Sequence, residues 1–405
     1  MNARVLFLSP SFPLPSNNGH KMRTWALLRA FAAEGCEVSL LAVAEPQELA
    51  GHEATVRAVC RNIEPVAHAW MSLARGADMA GRLRRLWSSR PYTIARFESA
   101  AMREAVARRL GRGDVDAVVS DVFMLVNVPP TAVPIIVNNE NIEHVIIRRY
   151  VPHEPNLGKR LYAALEWRKT ARWEAAAFRR AAVAMACSEP DATLVRAMCP
   201  GLATALVPNV VDTELYTPRG DVQEARVLFQ GGMDWLPNQD AARYFIGAIL
   251  PRLRRAVPGV RFVVAGRNPS PALVEAYRHL ADVQFTGTVP DMRAEIAQAS
   301  VCVVPIRMGS GTRLKILEAA AMGKAIVSTR VGAEGLRFVD GQEMVIADDP
   351  EAFAAATARL LCDPWARKTL GDGARQRVES DYAFENLRRG VREALVVTIP
   401  REASV

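Results

Sequence analysis

The chain has 405 residues, half of them hydrophobic and 23% charged, with a formal net charge of +8. That length exceeds one ordinary core and favours two or three domains, and the composition excludes a disordered chain. Six cysteines (36, 60, 187, 199, 302 and 362) form no C-x-x-C pair and the six histidines show no metal-ligand spacing, so neither a disulfide framework nor a metal site is expected.

In chain order, the first strand is Arg4-Val5-Leu6-Phe7-Leu8-Ser9. The apolar run at this end is too short for a signal-peptide core, and nowhere do 18 apolar residues run together without charge or proline. A cytoplasmic protein is expected. The loop from Pro10 to His20 holds the single glycine Gly19 and no G-x-G-x-x-G, which argues against a dinucleotide cofactor. A helix over 21–34, stopped by Gly35, and a strand over 37–43 follow; residues 51–113 read as mostly helical.

Residues 71–113 carry ten arginines against Asp78, Glu98 and Glu104, with apolar and aromatic residues between them. Such a surface suits anionic lipid or an anionic acceptor; no nucleic-acid module is visible, and no nucleic-acid partner is expected. With 45 arginines and six lysines, arginine is also this chain's ordinary solvated residue.

Further strands are expected at 117–120, 134–137 and 183–187, with helices over 142–150 and 159–180. Asn139, Glu140, Asn141, Glu143 and His144, just beyond the strand ending at Val137, are candidate site groups, to which the resemblance described below assigns the acceptor hydroxyl, with His144 the candidate for a catalytic role. Asp121 ends another strand, where it serves as readily as a helix cap. Lys21 and Arg23, behind Gly19, are candidate phosphate contacts.

A polar, turn-rich joint spans 208–221, and a second strand–helix alternation begins at Ala225. Strands are expected at 225–230, 260–265, 283–286, 301–305 and 325–328, and helices near 238–256, 271–280, 292–299 and 312–322. Alternation of this kind implies α/β architecture: two Rossmann-like domains with parallel sheets, ligands binding beyond the carboxyl ends of the strands.

The most informative stretch is Gly309-Ser310-Gly311-Thr312-Arg313-Leu314-Lys315-Ile316-Leu317-Glu318, a glycine loop opening a helix after an apolar strand. Free backbone N–H groups and a helix dipole there suit phosphate. Thr312, Lys315 and Glu318, each three apart, are expected along one helix face. A hydroxyl, an ammonium and a carboxylate in a row suit a ligand carrying both phosphates and sugar hydroxyls. A Lys–Glu pair three apart is also an ordinary surface ion pair.

From Val227 to about Val397 the sequence resembles glycosyltransferase family 4, of the glycosyltransferase group 1 type. The resemblance is carried, in order, by Phe229-Gln230-Gly231-Gly232-Met233, Phe262-Val263-Val264-Ala265-Gly266, Val283 through Val289, Val303-Val304-Pro305, Gly309 through Gly323, Gly332-Ala333-Glu334-Gly335-Leu336 and Leu360 through Pro364. Asn18-Gly19, Ser188-Glu189 and Pro208 through Asp212 resemble the family's first half more loosely.

The resemblance implies a retaining hexosyltransferase of the GT-B fold, its two domains facing across an interdomain cleft. An acceptor-binding domain would span 1–212, a linker 213–224, a nucleotide-sugar-binding domain 225–382, and a helix crossing back to the first domain 383–405. Glu318 matches the second glutamate of the family's glutamate pair, which holds the ribose. Val289 lies beside the base, and Gly311, Thr312 and Lys315 lie where diphosphate is held, with Arg313 assisting. Gly19, Gly231, Gly266, Gly309, Ser310 and Glu334 complete the expected donor-binding set; Lys315 and Glu318 join His144 as candidate catalytic groups. The donor would be a UDP- or GDP-linked sugar with no metal, and the acceptor a glycan or a lipid-linked glycan.

Two departures stand out. Ser310 occupies the position of the first glutamate of the pair, and Met233 through Asn238 lacks the family's arginine and lysine after that strand. A nucleotide-sugar epimerase of the same fold and a catalytically silent nucleotide-sugar-binding subunit therefore stay open as alternatives.

Overall fold

The computed structural model describes residues 2–67 and 86–399. The chain divides into two compact units, Met1–Asn209 with Phe384–Val405, and Val210–Ala383. The basic stretch 71–113 lies partly outside the described residues, since 68–85 are not among them.

In the first unit, β1 (Arg4–Ser9), β2 (Glu37–Val43), β3 (Asn62–Val66), β4 (Ala117–Asp121), β5 (Ile135–Asn139), β6 (Val183–Ala186) and β7 (Ala203–Leu206) form one sheet in the order β3-β2-β1-β4-β5-β6-β7. Its pairings are parallel, with Val5 opposite both Val38 and Ala117. The order reverses between β1 and β4, the place where such sheets open a crevice beyond their carboxyl ends. Leu6, Leu8, Leu41, Val118, Val137 and Phe178 fill the core on one face. β1 leads to the helix Gly19–Ala33, whose start is set by Asn18: its side chain accepts the Lys21 N–H.

The final helix, Phe384–Thr398, belongs to this first unit. A β-carbon at Gly390 would lie 2.1 Å from the Leu206 carbonyl oxygen, so the helix can approach β7 only without a side chain there. Arg392 Nε, 2.7 Å from Glu34 Oε2, and Arg388 Nε, 3.2 Å from Glu34 Oε1, fix its rotation.

In the second unit, β8 (Arg226–Gln230), β9 (Arg261–Ala265), β10 (Val283–Gly287), β11 (Val301–Val304), β12 (Ala325–Ser328) and β13 (Val345–Ile346) form a parallel sheet ordered β10-β9-β8-β11-β12-β13. The helix expected near 238–256 forms as Leu236–Tyr244 and Leu250–Ala256 joined by a π-helical turn, Phe245–Ile249. Pro251, which has no N–H to give the ladder, accounts for the widened turn. Phe245 stacks on Phe262 with centroids 4.1 Å apart, tying this helix to β9.

Three expectations are corrected. β3, β7 and β13 lie at sheet edges and were not anticipated. Asn62-Ile63-Glu64-Pro65-Val66 contains a proline, which reads against a strand yet is tolerated at an edge. The helix expected from Thr312 begins at Leu314, so Thr312 stands in the loop ahead of it rather than on the helix face. Residues 213–224, expected as a linker, pack onto the second unit: Tyr216 lies against its core and Gln223 N–H donates to the Gln298 carbonyl.

Candidate functional site

In the second unit the chain ends of β8 and β11 bring the candidate donor residues together. Gly231 follows β8, and Gly266 follows β9 with φ +151°. A β-carbon at Gly266 would sit 2.0 Å from the Gly231 carbonyl oxygen, so these two loops touch backbone to backbone. A methyl at Gly231 would lie 2.7 Å from Asn238 Nδ2 and 2.8 Å from Lys315 Nζ.

The glycine loop 309–311 is shaped by Arg313. That residue is 4% exposed, and its guanidinium donates to the carbonyl oxygens of Ser310 and Gly311, the latter at 2.7 Å. A β-carbon at Gly309 would meet that guanidinium at 2.2 Å, so the glycine makes room for the arginine. Arg313, expected to assist at phosphate, thus also braces the loop from within. Ser310 is buried.

Beyond this loop the helix Leu314–Ala321 carries Lys315 and Glu318 one turn apart. Lys315 Nζ donates to Asn238 Oδ1 at 2.7 Å and lies 4.5 Å from the centre of the Phe229 ring. Burial lowers its pKa to about 7, Arg313 adding to the drop and Glu318 opposing it. Glu318 is held on both oxygens: Tyr216 Oη donates at 2.9 Å to one and Gln230 Nε2 at 2.5 Å to the other. Burial lifts its pKa to about 7 against those donors and Lys315.

A lysine whose charge burial disfavours thus stands one helical turn before a carboxyl group tethered on both oxygens. Thr312 is half-buried in the loop, Val289 is half-buried beyond β10, and Glu334 is half-buried after the short helix Arg330–Ala333. Sequence reasoning did not select Tyr216, Gln230 or Asn238. Gln230, a polar residue ending an apolar strand, carried a usable signal; Tyr216 carried none, because its segment read as linker.

The first unit holds a second polar cluster, at the carboxyl ends of β4 and β5. A pocket there is lined by His20, Asp121, Asn138, Asn139, Glu140 and Glu143, among others. His20 Nδ1 lies 2.9 Å from Glu140 Oε1 and 3.9 Å from Asp121 Oδ2, while Asn138 Nδ2 donates to Asp121 Oδ1 at 2.6 Å. Burial works to lower the His20 pKa, but Glu140 and Asp121 outweigh it and raise it to about 9. Burial also raises Asp121 and, with Glu174 and Glu140 adding to it, lifts Glu143 to about 8; Glu140, beside His20, is held low.

Gly19 is the first residue of the helix that delivers His20. His144, the histidine singled out from the sequence, is placed elsewhere: its Nδ1 is 2.6 Å from Glu174 Oε2, and that buried carboxylate also accepts the Glu143 and His144 N–H groups. Lys21 is paired with Glu48 at 2.6 Å, and Arg23, 2% exposed, bonds Asn138, Asn209 and the Val207 carbonyl. Both support the first unit's own structure. His20 was not selected; it stood in a loop whose glycine drew the attention.

Residues 224–363, all within the second unit, match the family described as Glycosyl transferases group 1. Over 148 residues, 35% of this chain and 36% of the relative, the sequence is 32% identical to a glycogen synthase of Mycobacterium tuberculosis. Over 233 residues, half of this chain and 58% of the relative, it is 28% identical to a GDP-mannose-dependent alpha-(1-6)-phosphatidylinositol monomannoside mannosyltransferase of Mycolicibacterium smegmatis. The matched segment thus spans little more than a third of the first relative's length and under two thirds of the second's. A sucrose-phosphate synthase from Thermosynechococcus elongatus has the same fold, with a TM-score of 0.67 at 19% identity over 97% of this chain and 98% of that one.

Proposed function

We propose that the protein is a retaining glycosyltransferase that moves a sugar from a UDP- or GDP-linked donor to an acceptor hydroxyl in polysaccharide or glycolipid assembly. The observation that carries this reading is the Lys315–Glu318 pair behind its glycine loop, in a chain whose domain and relatives are those of glycosyl transfer. Lys315, its pKa lowered to about 7 by burial, gains a partner when a diphosphate arrives, and it stabilises the charge that grows on the departing nucleoside diphosphate. No metal is required at that position, because the cation is supplied by the chain. Glu318, oriented by Tyr216 and Gln230, accepts from the ribose hydroxyls.

The first unit supplies the acceptor's surroundings through the groups beyond β5. Contact with an anionic membrane at the cytoplasmic face would use 71–113, where Trp87 is 96% exposed. Among the described residues no helix is long and apolar enough to cross a membrane.

The test is thermal unfolding of wild type and Glu318→Ala with a panel of nucleoside diphosphates and their sugars. A ligand at a hundred times its Kd adds about 2.7 kcal/mol, and the shift is expected for one base and lost in the variant. Wild type indifferent to the whole panel would sink the proposal. Ser310, where the resemblance expects a glutamate, supports a second reading as a binding subunit without turnover. A shift without sugar transfer, whatever acceptor glycan is offered, decides for that reading.

A further inference from the structure

The pocket beyond β4 and β5 brings together side chains of the metal-ligating type. His20 Nδ1, one Asp121 oxygen and one Glu140 oxygen all lie within 4.8 Å of one another. Two of the spacings, 2.9 and 3.9 Å, bracket the separation of about 3.0–3.4 Å between neighbouring ligands placed around an ion at 2.0–2.2 Å.

A second observation, independent of these three residues, points the same way. Asn139 lines the same pocket and is 1% exposed, yet neither its Oδ1 nor its Nδ2 has a hydrogen-bond partner. A buried carboxamide left unbonded is destabilising unless something that enters the pocket satisfies it. Glu143 lines the same pocket and adds a further carboxyl group, while Arg23 bonds Asn138.

We propose that His20, Asp121 and Glu140 form a divalent-cation site in the first unit, with Asn139 as a neutral oxygen ligand or a contact to bound water. One imidazole nitrogen with carboxylate oxygens selects a first-row transition ion such as Mn2+ or Zn2+. Mg2+ and Ca2+ prefer shells made of oxygen alone. This site is built from residues of the first unit, whereas the diphosphate position proposed at Lys315 is built from residues of the second.

The experiment uses the full chain after chelator treatment and titrates Mn2+, Zn2+, Mg2+ and Ca2+ by calorimetry, with electron paramagnetic resonance of Mn2+ as a second readout. One Mn2+ or Zn2+ per chain is expected, bound more tightly than Mg2+ or Ca2+. Asp121→Asn and Glu140→Gln, which keep the side-chain shape, should each weaken binding at least tenfold, whereas Glu318→Gln should leave it unchanged. Absence of uptake, a preference for Mg2+ or Ca2+, or undiminished binding in both isosteric variants overturns the proposal. Should those variants fail to fold, wild type still decides. Protons compete for these ligands, so affinity must fall as pH drops from 8 to 5, and a flat profile overturns the site.

Discussion

The two units use one architecture and reach opposite electrostatic ends. Each is a parallel sheet with its polar residues beyond the carboxyl ends of the strands. In the second unit those residues are a half-buried ammonium, amides and one tethered carboxyl group, packed around loops made possible by glycine. In the first they are carboxyl groups around a histidine, with asparagines between them. The sheet fixes where a ligand can sit, and the side chains on a few loop residues decide which charge it must carry.

The comparison can be broken first at the backbone. Gly266→Ala forces a methyl onto the Gly231 carbonyl and is expected to destabilise the second unit by roughly 3 kcal/mol. Gly111→Ala, in the first unit, meets nothing within 4 Å and is expected to change stability by no more than about 1 kcal/mol, towards greater stability. Urea unfolding of the two variants checks both; equal effects would remove the claim that backbone contact builds the second site.

A sharper test is pH. Glu143 has a folded pKa raised to about 8, so the folded state holds a proton the unfolded chain has lost, and stability falls as pH rises from about 4.5 to 8. Glu143→Gln removes that slope, and its advantage over wild type should grow through this window. Lys315 behaves in the opposite sense. Its folded pKa is lowered to about 7, so stability rises from pH 7 towards 10.5, and the advantage of Lys315→Met should shrink over that range. Differences on the order of 1–3 kcal/mol are expected in each case. Parallel pH profiles for the two variants would mean that the units do not differ as described.

The smallest effect concerns the ligand. If diphosphate binds beside Lys315, binding at pH 8 should draw a fraction of a proton from solution, because the anion restores the ammonium. Calorimetry in buffers of different ionisation enthalpy measures it, and the uptake should vanish in Lys315→Met. Nucleotide binding with no proton linkage in wild type would place the diphosphate away from this lysine.

Legibility in the sequence followed burial and locality. Central strands such as Val301-Cys302-Val303-Val304, covered on both faces, read as unbroken apolar runs and were found. Edge strands such as Asn62–Val66 bury less, and their proline and polar residues disguised them. Lys315 and Glu318 were legible because their spacing lies within one helix. Their partners Asn238, Gln230 and Tyr216 are 77, 88 and 102 residues away, beyond any local pattern.

The sequence by itself determined the α/β class, the two rounds of strand–helix alternation and the glycine loop, since these rest on periodicity and on residues a few positions apart. Only the tertiary structure decided that His20 meets Asp121 and Glu140 while His144 turns to Glu174, and that Arg313 folds back to brace its own loop. Those choices depend on which strand ends lie side by side and on what burial does to each charge, and neither is set by residues near in the chain.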